Sequence, residues 1–96
     1  MNEEKAIRTG KVISPLREML SDSKCNCVIF HCEDGYVRHR TRLTVLAARR
    51  RNDMDIRTHK DNINKLDLVV MKGKRKDIYR ERHNPIEVYI SREKHA

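Results

Sequence analysis

The longest apolar stretch, residues 25–32, is broken only by Asn26 and His31, and its Val, Ile and Phe side chains favour an extended strand. Both of its faces are apolar, which places it centrally in a sheet. Upstream, Ser14-Pro15 has the form of a helix start: Ser caps free amides, and Pro at the first helical position sacrifices no hydrogen bond. Leu16, Met19 and Leu20 form the buried stripe of this helix, and Asp22 and Ser23 end it. The polar, unpatterned residues 1–10 read as a flexible arm, leaving 11–96 as one domain.

Downstream, Glu33-Asp34-Gly35 signals a turn, and Tyr36 and Val37 open a second extended stretch. Thr41 then caps a helix in which Leu43, Leu46 and Ala47 share one face and Arg42, Val45 and Arg49 another, with Asn52-Asp53 closing it. Met54, Ile56 and Thr58 alternate with Asp55, Arg57 and His59, as in a half-exposed strand. After a polar loop, Leu66, Leu68 and Val70 mark the next strand, which pairs antiparallel with the one before it. Residues 77–83 read as irregular or as one helical turn, and Pro85 opens a last strand through Ile86, Val88 and Ile90. The order helix, strand, helix, strand, strand, strand defines an α+β fold with a mostly antiparallel sheet.

Charge changes this picture more than composition does. The 96 residues suffice for one domain, and with one Phe, three Tyr and no Trp its core is mostly aliphatic. Lys and Arg number 22 against 14 Asp and Glu, and the net charge of +8 favours a nucleic acid, an anionic membrane surface or an acidic protein as partner. No run reaches the roughly 18 apolar residues of a membrane span, and the first thirteen residues lack the apolar region of a secretory signal. Cys25, Cys27 and Cys32 are odd in number and fit reduced thiols better than a disulfide framework. A cytoplasmic protein without a membrane role is the expectation.

The basic residues fall into three groups: Arg38, Arg40, Arg42, Arg49, Arg50 and Arg51 on the second helix; Arg57, His59 and Lys60 on the following strand; and Lys72, Lys74, Arg75 and Lys76 in a loop. Arg grips phosphate with two parallel hydrogen bonds, so a helix this rich in Arg draws in polyanions. A helix followed by a hairpin with basic residues resembles, in outline, a winged-helix DNA binder, although a strand stands between the two helices here. The alternative is that the arginines only solvate an exposed helix face. Tyr36, Tyr79 and Tyr89 are too few to form the stacking platform of a single-strand binder.

Other chemistry is weaker. Cys25, Cys27, His31 and Cys32 are zinc-ligand types, but strand alternation puts Cys32 on the face opposite the other three, and no second cysteine pair completes a site. A nucleophilic cysteine beside His31 or His39 lacks a defined motif, and the carboxylates have no spacing for two-metal chemistry. No metal or other cofactor is implied. Residues 68–80, an apolar strand followed by a basic run and Tyr79-Arg80, resemble the end of RelE-like ribonuclease toxins. That resemblance implies metal-independent RNA cleavage involving Lys74, Arg75, Tyr79 and Arg80, but the arginine-rich strand pair usual upstream in that family is missing.

The sequence therefore points to a small, non-enzymatic, basic nucleic-acid-binding protein, in which Arg57, His59 and the 72–76 loop clamp phosphate beside the helix. Two other readings stand beside it. One is a protein-binding inhibitor or adaptor of viral or mobile-element type, which would dock on an acidic or nucleic-acid-binding surface of a host factor; the other is the ribonuclease. The apolar strand at 86–90 also suits pairing between two copies as a homodimer.

Overall fold

The apolar segment behind Asn26 becomes β1 (Cys27–Cys32), flanked by a hydrogen-bonded neighbour on each edge. The computed structural model describes residues 7–74 and 81–93 of the chain. Helix α1 (Thr9–Ser21) precedes β1, and α2 (Gly35–Arg51), β2 (Ile56–Lys60), β3 (Asp67–Lys72) and β4 (Ile86–Ile90) follow it. The strands form one sheet in the order β2-β3-β1-β4. β3 is antiparallel to both β2 and β1, whereas β4 runs parallel to β1. This is the α+β order that the pattern predicts, with a sheet that is mixed but mostly antiparallel.

Both helices lie on one side of the sheet. Val12, Leu16 and Met19 of α1 and Val37, Val45 and Ala48 of α2 share a core with Val28, Phe30, Ile56, Leu68, Val70 and Ile90. The other side has a smaller buried cluster of Cys27, Ile29, Val69 and Met71. Because side chains alternate across a strand, the apolar run of β1 serves both clusters at once.

The strand starts shift by a residue or two, and the helix starts and the start of the domain differ further from the sequence reading. Helix α1 starts at Thr9 rather than Ser14, with Pro15 inside it. The proline ring removes only the hydrogen bond to the Lys11 carbonyl, and the stripe Val12, Leu16, Met19 holds the extra turn on the core. Ile7 is buried as well, so residues 7–10 belong to the fold; residues 1–6 of the expected arm lie outside the described residues.

Helix α2 starts at Gly35 rather than at Thr41, absorbing Tyr36 and Val37. Asp34 Oδ1 accepts the Val37 amide at 2.9 Å and caps the first turn. The buried stripe is Val37, Thr41, Val45 and Ala48, while Leu43 is 41% exposed. Thr41 joins the core because its hydroxyl meets the Cys32 thiol at 4.0 Å. At the other end Asp53, at φ 49°, reverses the chain, and the Met54 amide donates back to the Arg49 carbonyl at 3.0 Å. Asn52 and Asp53 thus close the helix where the pattern places its end.

The chain leaves β3 at Gly73, whose φ of 97° favours glycine, and returns to the opposite edge of β1. Asn26 holds both passes. Its carbonyl accepts the Lys72 amide, and its amide donates to the His83 carbonyl. Its side chain donates to the Glu81 carbonyl at 2.7 Å and accepts the His83 amide at 2.8 Å.

Leu16→Ala is expected to lower the unfolding free energy by about 2–5 kcal/mol. Leu43→Ala, on the exposed flank, should change it by no more than about 0.5 kcal/mol. Urea denaturation followed by circular dichroism measures both, and equal losses would contradict the observed rotation of α2.

Candidate nucleic-acid interface

Helix α2 contains six arginines and no carboxylate. At about 100° per residue, they divide around the buried stripe. Arg38, Arg42 and Arg49 fall on one flank, Arg40 and Arg51 on the flank toward α1, and Arg50 points away from the sheet. The helix is therefore cationic on every side that the core leaves open, rather than along one face.

Arg38 is committed, because its Nε donates to the Asp67 carbonyl at 3.2 Å. Among the described residues Arg40, Arg42, Arg49, Arg50 and Arg51 make no side-chain hydrogen bond or ion pair. Arg49 and Arg50 line a shallow cavity of about 440 Å³ with Leu46, Asp53 and Lys74. Arg40 and Arg51 border a groove of about 390 Å³ between the helices, whose lining includes Ile13, Leu43 and Ala47.

The other basic residues do not join this surface as one clamp. In β2, Ile56, Thr58 and Lys60 point to the helix side, which turns Arg57 and His59 to the opposite face. The sheet stands between these two and the α2 arginines. Lys72 Nζ donates to the Asp22 carbonyl at 2.9 Å, at the C-terminal end of α1. Lys74 pairs with Asp53 at 3.4 Å and lines the same cavity as Arg49 and Arg50. Arg75 and Lys76 lie outside the described residues, as do Tyr79 and Arg80 of the ribonuclease resemblance. The β2–β3 hairpin forms, but it is two strands of the main sheet rather than a projecting wing.

The helix-free face has a polar array that sequence spacing does not announce. On it, His31 Nδ1 lies 3.0 Å from Asp67 Oδ1 on one side, and Nε2 lies 2.8 Å from Glu87 Oε1 on the other. Ionised carboxylates only accept, so this geometry favours a ring that donates from both nitrogens, the imidazolium form. Burial works against this charge, but the hydrogen bonds that the ring donates to Glu87 and Asp67, together with their negative charges, outweigh it and raise the His31 pKa. Tyr89 stacks on the ring with centroids 4.7 Å apart. These four residues become neighbours only through the β3–β1–β4 register; the one sequence signal was a lone His in an apolar strand.

Farther along this face, Arg82 Nη1 reaches Asp61 Oδ2 at 3.1 Å. The Ile63 amide, with smaller help from Asn64 and Arg82, holds the Asp61 carboxyl low. Burial depresses His59, and the nearby Arg57 and Arg82 charges add to this. Positive charge on this side is thus largely answered by acids or suppressed.

The three cysteines are free and buried. Cys25 and Cys32 belong to the helix-side core and Cys27 to the opposite cluster, so Cys25 does not share a face with Cys27 and His31 as strand alternation alone implies. Burial raises the Cys27 and Cys32 thiols, which opposes nucleophilic use. Among the described residues no three His, Cys, Asp or Glu side chains converge to hold a metal ion, and no helix is long and apolar enough to cross a membrane. Comparison with family models, curated proteins and solved structures returned no match.

The raised His31 pKa links stability to pH. The folded state holds this proton more tightly than the unfolded chain, whose His titrates near 6.5. Its contribution is complete below that value and lost as pH rises through the elevated folded value. The stability gap between the wild type and His31→Gln should therefore be widest in mild acid and shrink toward alkaline pH. Urea titrations of both proteins across that range measure it, and a gap that widens with pH would contradict the ion-paired imidazolium.

Proposed function

We propose that this protein binds nucleic acid through α2, gripping the phosphate backbone with Arg42, Arg49 and Arg50 and with Lys74 beside them. The observation that carries this reading is a well-capped helix with six arginines and no acid, five of them without a partner among the described residues. The buried stripe and the Asp34 cap fix the helix before any ligand arrives, so little backbone order has to be gained on binding. Arg offers planar, bidentate donors to phosphate, and nothing in the array demands a base sequence. The reading is of a binding protein rather than an enzyme, acting electrostatically in the manner of non-specific phosphate contacts.

A second reading has its own support. The groove between α1 and α2 combines apolar Ile13, Leu43 and Ala47 with Arg40 and Arg51, a mixture that suits an acidic, partly apolar protein surface better than a phosphate chain. The protein would then be an inhibitor or adaptor that uses the same helix from its other flank.

Duplex DNA, single-stranded DNA and RNA titrated across a salt series separate the two. Binding whose salt slope depends on Arg42 and Arg49 supports the first reading, and binding that does not depend on them favours the second. On duplex DNA, Arg42→Ala combined with Arg49→Ala should reduce the slope of log K against log salt by about 1.8, or about 0.9 for each phosphate no longer neutralised. Arg57→Ala, on the opposite side of the sheet, should leave the slope unchanged. A folded double variant that keeps the wild-type slope would remove α2 as the interface.

A further inference from the structure

The two outer strands of the sheet are unlike. On β2, three of five residues, Arg57, His59 and Lys60, are basic; β4 has no cation, and Glu87 is its one charged residue. Outer strands are commonly protected from self-pairing by charge, particularly Lys, and β4 lacks that protection. In a chain of net charge +8, two copies repel wherever the positive excess is displayed. The β4 edge is a place where they would not.

Backbone direction fixes how such an edge could be used. The Glu33 amide donates to the Ile90 carbonyl at 3.0 Å, so Ile90 turns its backbone groups inward toward β1. By two-residue alternation Ile86 and Val88 do the same, and Glu87 and Tyr89 direct their N–H and C=O groups outward. No described residue pairs with those outward groups. Pro85, which has no N–H, limits any added ladder at the start of the strand.

We infer that two copies of this chain associate by pairing β4 with β4, antiparallel, about a two-fold axis at Val88. That register places Glu87 opposite Tyr89 of the second copy twice over and pairs the outward N–H and C=O groups of both residues. Val88 meets its own counterpart, and Ile86 lies opposite Ile90. Ile86 and Val88 are only partly buried against the core, and Tyr89 is 72% exposed on the helix-free face; the second copy's strand would cover them. The self-complementary order Ile86-Glu87-Val88-Tyr89-Ile90 gives a closed dimer. The two four-stranded sheets become one continuous sheet.

Sedimentation equilibrium of the full chain under reducing conditions tests this. The wild type is expected at twice the 11.4 kDa chain mass. Tyr89→Asp sets a carboxylate opposite Glu87 at both ends of the ladder and should weaken association by about tenfold. Tyr89→Lys sets an opposite charge there and should remain dimeric. Both variants lose the aromatic ring and its stacking on His31, so their difference reports charge at this position rather than loss of the ring. Circular dichroism checks that each is folded, and Tyr89 is exposed enough that neither substitution enters the core. A monomeric wild type at the highest soluble concentration, or equal association of the two variants, would overturn the proposed pairing.

Discussion

Burial of β1 on both faces is the constraint on which the rest of the molecule depends. A strand with Val28 and Phe30 on one side and Cys27 and Ile29 on the other cannot sit at an edge or leave either face wet. It needs a paired strand on each flank, helices over one face and a cover on the other. β3 and β4 supply the flanks, α1 and α2 the first cover, and on the second face the Arg82 charge lies near the Cys27 thiol. Asn26, just ahead of this strand, satisfies its own backbone and side chain with both passing segments, so the position of the return is tied to the same element.

Charge follows the same division. On the helix side the arginines of α2 stand outside the core with no acid among them. On the other side ionised groups come in sets, with His31 between Asp67 and Glu87 and Arg82 on Asp61. The net charge read from composition is an average over two unlike surfaces. Only the alternation of strand residues, which places Arg57 and His59 beyond the sheet, reveals that the basic residues belong to more than one group.

Much of the fold was legible because each element has a local signal. The apolar run of β1, the alternation at Ile56 and Thr58, the Asn52-Asp53 stop and the Pro85 start each depend on neighbours in the chain. The rotation of α2 was not legible, since Leu43, Leu46 and Ala47 make as good a stripe as Val37, Thr41, Val45 and Ala48. The sheet buries the second set and leaves Leu43 exposed, a tertiary choice that a helical wheel does not encode. Pro15 misled for a related reason: its preference for a helix start is local, whereas the burial of Ile7 and Val12 that extends the helix is tertiary. The basic residues of the candidate site could be named from sequence but not sorted. The His31 array, built across three strands, had no sequence period at all.

The parallel pairing of β4 with β1 also bears on how the molecule is made. Hairpin β2–β3 and the β1–α2 unit join residues close in the chain, but Val28 meets Ile86 only after all the intervening residues exist. Such non-local closure slows folding, because chain entropy is spent before the contact rewards it. During synthesis β1 can acquire β3 on one edge while its other edge, apolar and unpaired, waits for residues 86–90. In that interval a nascent chain presents the kind of surface that chaperones hold and that neighbouring copies seize.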